Sequence, residues 1–166
     1  MTKDLEEALS NVQMTYQDLV QISDDILTTY TSDIDELIRQ ANVKIEIMTV
    51  EDVRQLMLKL SLKSYSLCEV KEKSALKLAC AEALKDEVYA KSYNEATGTV
   101  KERESTASSS IRFEVMSEAV FNEVYSMLKS KVDETHRVVD ALKSVLMSRM
   151  QEVKMTMMSR DNDFGE

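Results

Sequence analysis

Residues 121–146, FNEVYSMLKSKVDETHRVVDALKSVL, decide the fold of this chain. Apolar or small side chains recur through this stretch at alternating steps of four and three. They are Phe121, Tyr125, Leu128, Val132, Thr135, Val139, Leu142 and Leu146, with Met150, Val153 and Met157 as an extension. This spacing is typical of a helix that packs one stripe of side chains against another helix. The pattern predicts a long helix over about residues 100–158.

The composition of the 166 residues excludes strand-rich folds. Hydrophobic residues make up 43% of the chain and charged residues 31%, and there are two glycines and no proline. Strand-rich folds need turn-forming residues roughly every 8–12 positions, which this chain lacks. We therefore predict an all-α protein. Its expected architecture is a long, coiled-coil-like antiparallel helical hairpin, preceded by an acidic N-terminal helix and assembled into an oligomer.

The first part of the chain carries a second stripe with four-three spacing. Its members are Leu5, Leu9, Val12, Tyr16, Leu19, Ser23, Ile26 and Tyr30, continued more loosely by Ile34, Leu37 and Ala41. The stripe predicts a helix over about residues 3–41, and the polar residues 31–33 leave open whether it is broken there. Val43, Ile45 and Ile47 alternate with charged residues, which favours a short extended link.

The middle of the chain carries helix start and stop signals. Thr49 and Asp52 predict the start of a second helix, which runs without a breaker to Thr97. Gly98 follows, and Thr99 to Glu102 forms a capping box, so the chain turns or kinks at this glycine hinge. We predict three regions: 1–48, an acidic helix and linker; 49–158, the hairpin with its turn near Gly98; and 159–166, a polar tail.

The net charge of −9 is concentrated at the front of the chain. Residues 1–50 carry three bases and ten acids, a net charge of −7, whereas residues 51–166 carry 18 bases and 20 acids. This balance disfavours wholesale binding to nucleic acid or to an anionic membrane. The sequence contains no run of roughly 18 uncharged residues, as a membrane span would need. We expect a cytoplasmic protein with no membrane partner.

The residues that usually carry catalysis are sparse. His136 is the only histidine, and the sequence indicates no nucleophile or orienting group beside it. Carboxylate pairs such as Asp24 and Asp25 lack the Glu-x-x-His spacing of a di-iron bundle. We predict a protein that is not an enzyme, with no cofactor, no metal and no small-molecule substrate.

The sulfur-containing residues are predicted to pack in the interior. Cys68 and Cys80 lie twelve residues apart in one helical pattern, about 18 Å along the axis, which is too far for a disulfide. Five methionines lie near the end of the chain: Met147, Met150, Met155, Met157 and Met158. Flexible thioethers suit either an adaptable partner surface or a loosely specified core, and we favour the core.

Five lysines of the second helix form a candidate binding stripe. At 100° per residue, Lys59, Lys63, Lys73, Lys77 and Lys91 fall within a sector of about 80°. Apolar residues gather on the other side: Met57, Leu58, Tyr65, Leu76, Ala79, Ala83 and Tyr93. Spaced ammonium groups can follow a nucleic-acid backbone. The alternative is a solvent face paired with acids of a neighbouring helix. Whether the acidic first helix covers the stripe decides between them.

The same region carries a family resemblance. It begins at Ser64-Tyr65, passes through spaced lysines and alanines, and ends at residues 96–104, ATGTVKERE. It resembles small helical proteins of tailed phages encoded near recombination and replication genes, and more distantly UvsY-type recombination mediators. The likeness covers about residues 55–155. It implies an oligomeric protein of the host bacterial cytoplasm that binds single-stranded DNA and helps to load a recombinase. The positions matching the lysine-bearing helix are Lys59, Lys63, Lys73 and Lys77.

Two functions follow as hypotheses. The first is a non-enzymatic bacteriophage accessory protein of DNA recombination or replication, which binds single-stranded DNA, recombination proteins or both as a helical oligomer. The net charge of −9 departs from what such a mediator should show. The second is a structural or regulatory coiled-coil module, either an assembly chaperone or an acidic inhibitor of a host protein, without DNA contact.

Overall fold

The computed structural model consists of four helices. It describes the backbone of residues 2–163 and the side chains of residues 17–156 apart from 19 and 22. The helices are α1 (Thr2–Lys44), α2 (Val50–Glu95), α3 (Val100–Ser110) and α4 (Arg112–Asp163). No strand occurs in the described residues, so the predicted all-α class is confirmed.

Two local predictions about the first half of the chain are settled by main-chain hydrogen bonds. Helix α1 continues without a break through residues 31–33. The extended link predicted after it is wrong, because residues 45–47 form a turn that continues the last turn of α1. The amide of Ile45 donates to the carbonyl of Ala41 at 3.1 Å, and that of Ile47 donates to Lys44 at 3.0 Å. A helical turn satisfies these amides locally, whereas an isolated extended segment has no strand to pair with.

The predicted third helix is divided in two at Ile111, which ends α3 with φ −96° and ψ 14°. The serine run before it explains the division. The hydroxyls of Ser109 and Ser110 donate to the carbonyls of Ser105 at 2.9 Å and Ala107 at 2.8 Å. Serine side chains that bond back to nearby carbonyls compete with the helical backbone.

The predicted interruption between α2 and α3, a turn or kink at Gly98, is confirmed. Gly98 has φ +113°, a conformation that residues with a Cβ rarely adopt. The capping box is also present: the amide of Thr99 donates to Glu102 at 2.8 Å, and the amide of Glu102 donates to the Thr99 hydroxyl at 3.4 Å. Gly98 therefore allows the change of backbone direction between α2 and α3, and Thr99 caps the start of α3.

The chain forms two compact units. Unit 1 comprises residues 1–29 and 69–129, and unit 2 comprises residues 30–68 and 130–166. The buried side chains of unit 1 are Ser23, Leu27, Ser74, Ala81, Ala107, Val124 and Leu128. Those of unit 2 are Ile34, Ile38, Ala41, Val53, Leu56, Leu60, Ser64, Leu67, Val132, Thr135, Leu142 and Leu146. Among the described side chains, the larger buried aliphatic set therefore lies in unit 2 and is drawn from α1, α2 and α4.

The stripe of α4 is confirmed from Leu128 to Leu146, where its members are buried or half-buried. Its predicted extension is wrong at Met150 and Val153, which are about half exposed. Among the methionines, Met147, Met150 and Met155 are also exposed, so the core interpretation is wrong for them. The side chains of Met157 and Met158 lie outside the described residues. Residues 164–166 of the predicted polar tail are outside them as well.

The predicted stripe of α1 is confirmed at Ser23, Ile34 and Ala41, which are buried, and is wrong at Tyr30. Leu27 and Ile38 are buried, whereas Tyr30 is 46% exposed and Leu37 is half-buried. Neighbouring positions lie only about 100° apart on a helix, so either of two adjacent residues can become the buried one when the helices pack. Ser23 is buried at the place where the pattern lacked an apolar residue. The predictions for Leu5, Leu9, Val12, Tyr16 and Leu19 fall on side chains outside the described residues.

Candidate interaction surfaces

The five lysines of the predicted stripe are all exposed on α2. Lys59 and Lys63 belong to unit 2, and Lys73, Lys77 and Lys91 belong to unit 1. Two of them make ion pairs. The ammonium of Lys63 lies 2.5 Å from a carboxylate oxygen of Asp33 on α1, and that of Lys73 lies 2.6 Å from Glu69 on α2. A role of the lysines in binding nucleic acid stays a prediction.

The acidic helix α1 pairs with Lys63, one of the two stripe lysines in unit 2, and leaves both lysines exposed. A groove of about 450 Å³ lies beside them, lined by Asp33, Glu36, Leu37, Lys59, Leu62, Lys63 and Ser66. The Lys63 side chain is still 50% exposed despite its bond to Asp33. The first helix therefore partly neutralises this end of the stripe without covering it.

A run of exposed apolar residues lies on α2 in unit 2. Leu58, Leu62 and Tyr65 are 54% to 80% exposed. They follow four-three spacing, so they lie on one face of the helix. We call this set the α2 stripe.

The apolar face read from the sequence is therefore not the core-facing one. Leu58, Tyr65 and Leu76 are exposed, whereas the buried residues of α2 in unit 2 are Val53, Leu56, Leu60, Ser64 and Leu67. These also have four-three spacing, with Ser64 in one place. Their spacing marks a second candidate stripe, but it does not rank this stripe above the exposed one.

A second groove lies in unit 1 and is mostly apolar. Its volume is about 580 Å³, and it is lined by Leu76, Lys77, Cys80, Ala81, Leu84, Phe113, Glu114, Ser117 and Phe121. The side chains of Leu76, Leu84 and Phe113 are 50% to 67% exposed. We call this site the unit 1 groove.

Two charged residues line the unit 1 groove. Lys77 makes no ion pair with any described residue. One carboxylate oxygen of Glu114 is buried and has no hydrogen-bond partner among the described residues. A buried carboxylate oxygen without a donor costs free energy, so Glu114 carries an unsatisfied acceptor beneath the groove surface.

Both cysteines are free thiols. The expectation of buried packing is wrong for Cys80, which is exposed in the unit 1 groove, while Cys68 is half-buried. Cys80 was missed as a surface residue because an isolated cysteine in an apolar pattern resembles core.

One interhelical ion pair stabilises unit 1. The ammonium of Lys85 on α2 lies 2.6 Å from Glu118 on α4, and each side chain is only about a quarter exposed. The hydrogen bond to Glu118 raises the pKa of Lys85, which outweighs the opposing effect of desolvation.

The residues considered for catalysis, metal binding and membrane insertion are located as follows in the described part of the chain. His136 is exposed on α4. No group of three His, Cys, Asp or Glu residues that could hold a metal ion occurs in the described part of the chain. None of the helices, as far as they are described, is long and apolar enough to cross a membrane.

Comparison with protein-family models, with curated proteins and with solved structures gives no significant match.

Proposed function

We propose that the protein is a non-enzymatic helical interaction module that assembles with a second copy of itself through the unit 1 groove. The exposure of Leu76, Leu84 and Phe113 around one groove carries this proposal. Clusters of exposed apolar side chains mark interaction sites, whereas single ones do not. The finer architecture, an antiparallel hairpin of α2 with α4 inside an oligomer, belongs to the same proposal.

The charges of the groove favour a second copy as its occupant. In a two-fold interface, residue i of one copy meets residue j of the other, and j meets i. Lys77 and Glu114 line the same groove and carry opposite charges. A two-fold arrangement can therefore pair Lys77 of each copy with Glu114 of the other.

A charge-swap experiment tests this proposal by sedimentation velocity. The wild-type protein should sediment as a dimer or larger species rather than at the 18.9 kDa chain mass. Lys77→Glu and Glu114→Lys should each weaken association by about tenfold or more, the equivalent of about 1.4 kcal/mol. The double variant, which restores opposite charges, should regain most of the affinity.

Two controls sharpen the test. Phe113→Ser should also weaken the dimer, while Ile47→Ser, at an 81% exposed apolar residue in unit 2, should not. The Cys80 thiol should react with a maleimide more slowly in the associated state, because the partner copy covers the groove. A wild-type protein that stays monomeric at every concentration tested would contradict the proposal, as would a double variant no better than the singles.

Single-stranded DNA binding is the second candidate, with the protein as a phage accessory of recombination or replication. The observation that favours it is the exposure of all five lysines on α2. Lys59, Lys77 and Lys91 make no ion pair with any described residue. Phosphates could therefore reach these three without displacing a carboxylate. The family resemblance supports the same candidate, while the net charge of −9 opposes it.

A further inference from the structure

We propose that unit 2 carries a separate docking surface, the α2 stripe of Leu58, Leu62 and Tyr65. Its occupant is an amphipathic helix of another protein whose apolar residues are flanked by acids. This inference rests on the proposed function only in treating the protein as an interaction module, and it uses none of the residues of the unit 1 groove.

The apolar part of the surface has the geometry that a helix can use. Four-three spacing places Leu58, Leu62 and Tyr65 in line along α2, as in the contact stripe of a coiled coil. The opposite face is already occupied, since Leu60 and Leu67 are fully buried in unit 2. Leu62 also lines the groove of about 450 Å³ between α1 and α2, so the stripe borders a concave surface. An apolar helix laid there would bury residues that are otherwise half or more exposed.

The positive charge on α2 beside the stripe favours a partner helix that carries acidic residues. Between Asp52 and Glu69, α2 carries three bases and no acid. Helical geometry places Lys59 along one edge of the stripe and Arg54 along the other. Lys63 lies beyond Lys59, in the groove that Leu62 also lines. Charges at the edges of a helical contact set the choice of partner, so this surface fits a helix with acidic edges.

The acidic side chains near these bases do not use all of the hydrogen-bond donors that the bases carry, so a further carboxylate can bind. From α1, Asp33 accepts one bond from Lys63, and Glu36 lines the same groove. On α2, Glu51 lies 3.5 Å from Arg54. An ammonium group has three donors, and the Lys63 side chain is half exposed, so it can take a second carboxylate.

A second copy of the chain does not fit this surface. In an antiparallel pair of α2 helices, the edge with Lys59 would face the same edge of the other copy. In a parallel pair, it would face the edge with Arg54. Both arrangements oppose like charges, which is unfavourable at the flanks of a helical contact. The stripe therefore fits a different protein, unlike the unit 1 groove, whose charges are self-complementary.

Two synthetic peptides test the inference with the full-length protein. Both are helices of about three heptads with leucines at four-three spacing. One has Glu at every flanking position and the other has Lys there. In fluorescence anisotropy titrations, the wild-type protein should bind the acidic peptide at least about tenfold more tightly than the basic one. Added salt should reduce that preference.

Variants locate the peptide. Leu62→Gln should weaken binding of the acidic peptide by about tenfold, because Leu62 lies at the centre of the stripe. The double variant Lys59→Glu/Lys63→Glu should reverse the preference and favour the basic peptide. Ile47→Gln is the matched control, since Ile47 is an exposed apolar residue of unit 2 outside the stripe, and it should bind like wild type. All four changed residues are exposed, and circular dichroism checks that each variant keeps its helices.

The outcomes separate this inference from the proposed function. Equal affinity for the two peptides, no binding of either, or binding that ignores Leu62→Gln and the charge reversal would overturn the inference. None of these results affects assembly through the unit 1 groove. Conversely, Phe113→Ser should weaken self-association and leave peptide affinity unchanged, so loss of the dimer alone would leave the α2 stripe intact.

Discussion

Arg149 on α4 donates from its guanidinium to the carbonyl oxygen of Ile45 at 2.5 Å, across 104 positions of the chain. The same side chain also donates to the carbonyl of Met48, and to that of Glu46 at 3.4 Å. These three carbonyls lie in the connection between α1 and α2, outside both helices. One arginine therefore fixes the turn between α1 and α2 onto α4 within unit 2.

Replacing that arginine should destabilise the protein. Arg149→Met keeps much of the apolar stem and removes every donor to the turn. Because hydrogen bonds to charged groups contribute about 1.5–3 kcal/mol, we expect the free energy of unfolding in urea to fall by about 2 kcal/mol. Arg137→Met is the control, since Arg137 is exposed on the same helix. Equal losses for the two variants would show that the bonds to the turn contribute nothing.

Gly98→Ala should also destabilise, by about 1 kcal/mol, because alanine resists a positive φ. The added Cβ would also lie 2.6 Å from a carboxylate oxygen of Glu102, so the side chain of the capping box must shift. Thermal melts check the sign, with Thr97→Ala as a neighbouring control. A Gly98→Ala protein more stable than wild type would mean that α2 and α3 form one continuous helix.

The capping box predicts a pH dependence. The Thr99 amide, and after it the Thr99 hydroxyl, lower the pKa of Glu102 below its usual 4.5. A lowered folded-state pKa gives stability that is present above the usual value and lost as the pH falls through the folded value. The stability difference between wild type and Glu102→Gln should therefore be constant near neutrality and shrink below about pH 4.5. A difference that grows on acidification would refute this sign.

Ser64→Ala should stabilise the protein. The Ser64 hydroxyl is buried in unit 2 and has no hydrogen-bond partner among the described residues. Alanine removes this unsatisfied group and is the better helix former, so we expect a gain of up to about 1 kcal/mol in unfolding free energy. Ser61→Ala is the matched control, because the exposed Ser61 hydroxyl donates to the carbonyl of Met57 at 2.8 Å. A Ser64→Ala protein less stable than wild type would reveal a bond that this hydroxyl makes.

The lysines should act together if they bind phosphates. Each lysine that neutralises a phosphate of a single strand adds about 0.7 to the slope of log affinity against log salt. The variant with glutamine at four predicted positions should therefore lose both affinity and salt dependence in a DNA shift assay. Those positions are Lys59, Lys63, Lys73 and Lys77. Asp33→Asn, which releases Lys63, should raise affinity.

A control with the same change in net charge isolates the stripe. It carries glutamine at four other exposed lysines: Lys101, Lys129, Lys143 and Lys154. Equal losses of DNA affinity in the two quadruple variants would show that binding depends only on the overall charge of the protein. A wild-type protein that leaves single-stranded DNA unshifted at low salt would remove the DNA candidate and leave the interaction module.

The features that the sequence predicted correctly are held by interactions between near neighbours. The turn at Gly98 and the capping box from Thr99 to Glu102 depend on groups within a few residues of one another, so their signals are complete in the sequence. The stripe from Leu128 to Leu146 is regular enough to indicate both a helix and the face that it buries. The candidate lysines were also correctly expected at the surface.

Only the tertiary structure decided which face of α2 is buried. The helix has two apolar stripes of the same spacing, one through Leu60 and Leu67 and one through Leu58 and Tyr65, and periodicity alone cannot rank them. Packing against α1 and α4 buries the first and leaves the second exposed. The bond between Arg149 and Ile45 has the same origin, because residues 104 positions apart meet only when the helices pack. By itself, the sequence determined the all-α class, the cap of α3 and the hinge at Gly98, since these depend on local hydrogen bonds. The exposed α2 stripe and the unit 1 groove depend on the contacts between helices, which local patterns do not contain.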